Sequence, residues 1–139
     1  MCTGCKMRPA VALIASVSVL AVMEAIWLST AKTFYAAMLS GVSSDGALRI
    51  RSMPATVLVY ALLLAGAWVL VLRPLTTHKP RLASAACHGA VFGATVYGVY
   101  NLTNMATLAG YRWQMVVIDT LWGAILFAVF AAVFSVVVE

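Results

Sequence analysis

Two carboxylates sit inside stretches of this chain that are otherwise apolar, Glu24 in "EAIW" and Asp119 in "DTLW". Each is followed three residues later by a tryptophan, Trp27 and Trp122, and residues three apart share a helix face. A third apolar stretch carries Tyr97, Tyr100, Asn101, Thr103 and Asn104 within eight residues. An ionisable group inside an apolar helix is costly unless it is paired or wetted, and so it marks a functional position by default. Carboxylates in such a place bind a cation or exchange protons. Asparagine, threonine and tyrosine beside them orient a polar ligand, and indoles wall a pocket or stack on a cation. The plainer reading is that these polar groups only hydrogen-bond across helices, at about 1 kcal/mol each. A further alternative pairs the acids with Lys32 and Arg112, which would make the cluster a structural lock rather than an exchanging site.

The elements that must position these residues are membrane spans. Of 139 residues, 64% are hydrophobic and 9% charged, and mean hydropathy is +1.01. A soluble domain carries about 25% charged residues. A bilayer core of about 30 Å needs about 20 apolar residues in a helix. Four segments qualify, at about residues 9–30, 54–72, 82–108 and 113–138. The fold expected is an all-α integral membrane protein, an antiparallel bundle of four transmembrane helices forming a single domain over residues 1–139. The first segment is longer than a signal peptide's apolar run and carries Glu24 and Trp27, so it reads as a retained helix. The connections read as a turn-rich polar loop over about 31–53, a short basic loop, and the tight turn "AGYR".

Antiparallel order brings the polar groups to one depth. Glu24 lies about six residues before the end of the first span, and Asp119 about six after the start of the fourth. Asn101 and Asn104 lie about 8 to 12 Å inside the end of the third. All four therefore fall about 9 Å from one face of the membrane. Along the third span Tyr97, Asn101, Asn104 and Leu108 share a face that continues back through Gly93 and Gly89. This "GAVFG" pattern permits close helix approach, as does Gly123 on the fourth span, and it predicts that the third helix is central.

Other chemistry finds little support. The net charge of +5 comes from residues between apolar runs, where they mark membrane flanks, so no nucleic-acid partner is expected. Five basic residues fall on the side of the N-terminus and second loop against four opposite, a slight bias toward cytoplasmic termini. Cys2 and Cys5 have C-x-x-C spacing without the strand–helix context of a redox motif, and Cys87 makes the cysteine count odd. His88 beside Cys87 lacks paired ligand spacing, and His78 reads as a solvated loop residue. No catalytic motif, metal site or cofactor is expected.

The stretches "EAIWLSTAKTFYAAMLSG" (24–41), "GAVFGATVYGVYNLTNMATLAGY" (89–111) and "VVIDTLWGAIL" (116–126) resemble a family of small bacterial-type predicted membrane proteins with four helices and no assigned function. The resemblance covers nearly the whole chain. Its pattern has an acid and tryptophan late in the first helix, then a lysine and Phe-Tyr, with "TN.ATL.G" and "D..WG" runs later. Glu24 and Asn101 stand where that pattern has aspartate. The second departure removes a carboxylate and argues against any three-acid mechanism.

These readings converge on a small carrier or channel-like subunit with an acidic, polar intramembrane site. The competing reading is a structural or assembly protein whose cluster locks the bundle and whose surface recruits a partner. An intramembrane enzyme acting on lipid is weaker, because no nucleophile accompanies the acids. The partners expected are the lipid bilayer and either further copies of the chain or another membrane protein.

Overall fold

A computed structural model describes residues 4–42, 52–78 and 81–138. Cys2, Arg49, Arg51 and Lys79, and the side chains of Cys5, Lys6 and His78, lie outside the described residues. The elements in chain order are α1 (Gly4–Thr30), α2 (Lys32–Leu39), α3 (Met53–Ala67), a π-helical turn (Trp68–Leu72), α4 (Arg73–His78), α5 (Leu82–Thr107) and α6 (Trp113–Val138). Four segments are long and apolar enough to cross a membrane: Arg8–Thr30, Met53–Thr77, Leu82–Thr107 and Trp113–Val138. Large apolar side chains such as Ile14, Leu62 and Val91 are exposed all along them. That is the pattern of helices whose outer surface meets lipid.

The second span runs past Leu72, where the sequence reading ended it, to Thr77. Pro74 lacks an N–H, and its ring would clash with the carbonyl four residues back in a regular helix. The chain accommodates it by widening one turn, with the Arg73 N–H bonded to the Trp68 carbonyl five residues back. At the start of this span Ser52 caps α3 by accepting from the Ala55 N–H at 3.4 Å, and Pro54 lies in the first turn.

The loop expected over 31–53 begins instead with a helix. After a bend at Ala31, α2 buries Tyr35 and packs Phe34, Met38 and Leu39 into a small core with Tyr111, Met115 and Val116. Apolar residues spaced three and four apart on "KTFYAAML" account for this, since they form one stripe over two turns.

The last helix, not the third, is central. α6 packs on both α5 and α1, and its buried stripe of Gly123, Phe127, Phe130, Ala131 and Phe134 fills the main core. Against it α5 offers Ala85, Gly89 and Gly93, spaced four apart. A Cβ on Gly93 would overlap the Gly123 carbonyl, and one on Gly123 would overlap the Tyr97 ring. The two backbones touch there, as the small-residue pattern predicts. Small residues make α5 a docking surface, and the bulky phenylalanines of α6 make it the filler. Gly110, at φ +82°, turns the chain between these helices and meets Gly41 after α2.

Candidate functional site

The stripes that pack α5 on α6 continue toward the α2 end of the bundle as polar residues. On α5 the four-residue spacing carries Gly93 and Tyr97 on to Asn101, which is fully buried. On α6 it carries Gly123 back to Asp119. The Asn101 amide donates to Asp119 Oδ2 at 2.7 Å and to the Tyr97 carbonyl at 2.9 Å. The Tyr35 hydroxyl, delivered by α2, donates to Asp119 Oδ1 at 2.5 Å. Asp119 is thus an acceptor at both oxygens. The Tyr111 hydroxyl closes the chain by donating to Asn101 Oδ1 at 2.6 Å, with the Asn104 amide beside it.

Glu24 lies one step away in a simpler setting. Its Oε2 accepts from the Trp122 indole N–H at 3.0 Å. Trp27 in turn donates to the Tyr35 hydroxyl at 2.8 Å. Each indole therefore serves the acid of the other helix, Trp122 directly and Trp27 through Tyr35, rather than its own neighbour three residues before. The exchange is possible because the two indoles stack, with centroids 4.5 Å apart and planes 8° apart. An aromatic pair of this kind contributes about 0.5–1.5 kcal/mol beyond its buried area.

Every donor to these acids is neutral. Lys32 and Arg112 are exposed, and among the described residues no ion pair reaches either carboxyl group. Burial, reinforced by the bond to Asp119, pushes the Tyr35 phenol far above its ordinary value of 10. Burial also raises the Tyr111 phenol. Both hydroxyls therefore remain protonated donors across the physiological range.

Of the residues singled out from the sequence, Glu24, Trp27, Tyr97, Asn101, Asn104, Asp119 and Trp122 come together here. Tyr100 and Thr103 are exposed and take no part in the network. Tyr35 and Tyr111 were not singled out. Tyr35 stands in the "KTFY" run and Tyr111 in the "AGYR" turn, both in segments read as connections. Their signal was an aromatic hydroxyl within one helical turn of the depth at which the acids converge. Gly89, Gly93 and Gly123 lie at the α5–α6 crossing. Among the described residues no group of three or more histidines, cysteines or acids is placed to hold a metal ion.

Fold and cluster together define a helical membrane protein of four apolar spans with a hydrogen-bonded acidic centre near one end. A family model described as predicted membrane protein (DUF2177) matches residues 10–136, and the chain belongs to that family. Comparison with curated proteins and with solved structures gives no significant match.

Proposed function

We propose that the protein is a small carrier or channel-like membrane subunit in which Glu24 is the exchangeable group and Asp119 organises the scaffold around it. The observation that carries this reading is the contrast between the two acids. Asp119 has both oxygens engaged by donors from α2 and α5, whereas Glu24 has one indole donor and borders a small cavity. An intramembrane carboxyl group with spare acceptor capacity and no cationic partner among the described residues suits a proton or a small cation. The close packing around both acids argues against a large organic solute. Four spans make a small carrier, so assembly of several copies belongs to this reading.

The test is transport by the full chain reconstituted in vesicles. Glu24→Gln keeps the shape of the side chain and should abolish proton or monovalent cation flux without lowering thermal stability. Flux at the native rate in that variant would refute the assignment. A second reading, a structural or assembly protein, is favoured by the engagement of Asp119 with α2 and α5 at once. In that case no ion moves, and Asp119→Asn loses bundle stability and partner retention together.

A further inference from the structure

A groove lies on the outer surface of the bundle between the second span and α5. It measures about 430 Å³ and is lined by Leu70, Val71, Cys87, His88, Val91 and Phe92. That volume falls within the ~300–1,000 Å³ of small-molecule sites. Leu70 and Val71 belong to the π-helical turn, so the irregular turn ahead of Pro74 forms one wall. Phe92 closes the deep end, where a Cβ on Gly66 would lie 3.3 Å from its ring. At the shallow end Cys87 and His88 lie five and six residues inside the start of α5, about 8–9 Å. Leu70 and Val91 are both exposed. The groove therefore opens sideways at the depth of the upper acyl chains, near the face opposite the acids.

The lining suits a hydrocarbon chain. It is apolar apart from Cys87 and His88, and the imidazole spends Nδ1 on the Ser84 carbonyl at 2.7 Å. A helix of another protein is about 10–12 Å across and crosses the whole membrane, whereas the groove runs only about 8 Å along α5, from Cys87 to Phe92. The charges above the groove select the kind of lipid. Arg73 follows Leu70 by one turn and Arg81 precedes His88 by two, and both are exposed. They stand at the level where a lipid with its chain in the groove carries its headgroup. Among the described residues the acids are Glu24 and Asp119, both near the opposite face. By sequence, the arginine side carries five basic residues against one acid, Glu139. Basic pockets between membrane helices bind anionic headgroups.

We propose that the groove is a binding site for an anionic phospholipid, with one acyl chain between the π-helical turn and α5 and the phosphate meeting Arg73 and Arg81. The site is separate from the acidic centre, and the inference stands whatever Glu24 does.

The test presents the full chain in detergent with equal amounts of phosphatidylglycerol and phosphatidylcholine of matched chains, and native mass spectrometry counts the lipid retained. Phosphatidylglycerol should be retained by preference, one molecule per chain. The double substitution Arg73→Gln and Arg81→Gln should weaken that retention about 25-fold, roughly fivefold for each arginine. Val91→Trp, at a position 62% exposed, fills the groove without entering the core and should abolish retention. With Cys2 and Cys5 replaced by serine, phosphatidylglycerol should slow the reaction of the exposed Cys87 with N-ethylmaleimide, which reads the groove without filling it. Circular dichroism checks the fold of each variant. Equal retention of the two lipids overturns the anionic assignment. Phosphatidylglycerol retained equally by Val91→Trp, or bound without protecting Cys87, overturns the groove as its site. A dimer that Val91→Trp dissociates, with no lipid retained, gives the groove to a second copy and overturns the proposal too.

Discussion

Asp119 and Thr120 are adjacent on α6 and illustrate opposite treatments of a buried polar atom. Asp119 accepts at both oxygens, from Tyr35 and Asn101. Thr120 Oγ1 is buried with no partner among the described residues, in the space beside Gly98. Replacing one oxygen of Asp119 by an amide N–H₂ turns a donor toward a donor, and an unsatisfied buried group costs about 1–3 kcal/mol. Asp119→Asn should therefore lower the thermal midpoint in detergent. Thr120→Val removes an unmatched hydroxyl at nearly constant volume, and it should leave the midpoint unchanged or raise it. Equal losses in the two variants would mean that shape, not hydrogen bonding, governs this part of α6. Asn101 adds a point of its own. It is a permanent donor beside Asp119, where the resembling pattern has an aspartate, so the two positions need not share a proton to stay together.

At the scale of elements, the arrangement depends on a close helix pair and a short helix folded back against it. A methyl group on Gly93 would meet the Gly123 backbone, whereas one on Gly98 would reach Thr120 Cγ2 only at 3.6 Å, an ordinary contact. Gly93→Ala should destabilise by about 1–3 kcal/mol through overpacking. Gly98→Ala should be neutral or gain up to about 1 kcal/mol from helix propensity. Paired melting curves in one detergent decide the point. The folded-back helix has a pH signature. Because Tyr35 holds its proton more tightly folded than unfolded, its contribution to stability is complete below pH 10, the ordinary phenol value. As pH rises above that, the unfolded phenol ionises first, and stability falls through the raised folded value. Tyr35→Phe should flatten that part of the alkaline decline in a pH series of melting curves.

The same elements show what the sequence makes legible and what it leaves out. Span number, antiparallel order and the common depth of Glu24, Asn101 and Asp119 follow from run lengths and rise per residue, which tertiary packing does not alter. The close approach at Gly93 follows equally from residue size. The fold-back of α2 does not follow, because eight residues give a weak periodic signal and the preceding "LSTAK" run reads as a span ending. Without α2, Tyr35 has no route to Asp119, and the crosswise service of the indoles cannot be inferred. The centrality of α6 was obscured in the same way, since glycines mark where helices meet but not which helix lies in the middle.

On the scale of the whole molecule, the cluster is asymmetric in the membrane, and this governs any vectorial function. The ends of α1, α5 and the start of α6 share one face of the bundle, and α2 packs against α6 there. The end of the second span, with Thr76, and the start of α5, with Arg81, belong to the opposite face. Glu24 and Asp119 are each six residues from the nearer end of their helices, about 9 Å, so either acid is close to one side of the bundle and far from the other. A topology map fixes which compartment is near. With the native cysteines replaced, Ser40→Cys and Ala109→Cys should react with an impermeant maleimide from one side of sealed vesicles, and Thr76→Cys and Arg81→Cys only from the other. All four positions are exposed. Labelling of Ser40→Cys and Arg81→Cys from the same side would break the antiparallel order on which the convergence of the acids depends. If the predicted pattern holds and Glu24 is the exchangeable group of the proposed reading, its protonation should follow the pH of the compartment that labels Ser40→Cys, and a gradient imposed from that side should change it first.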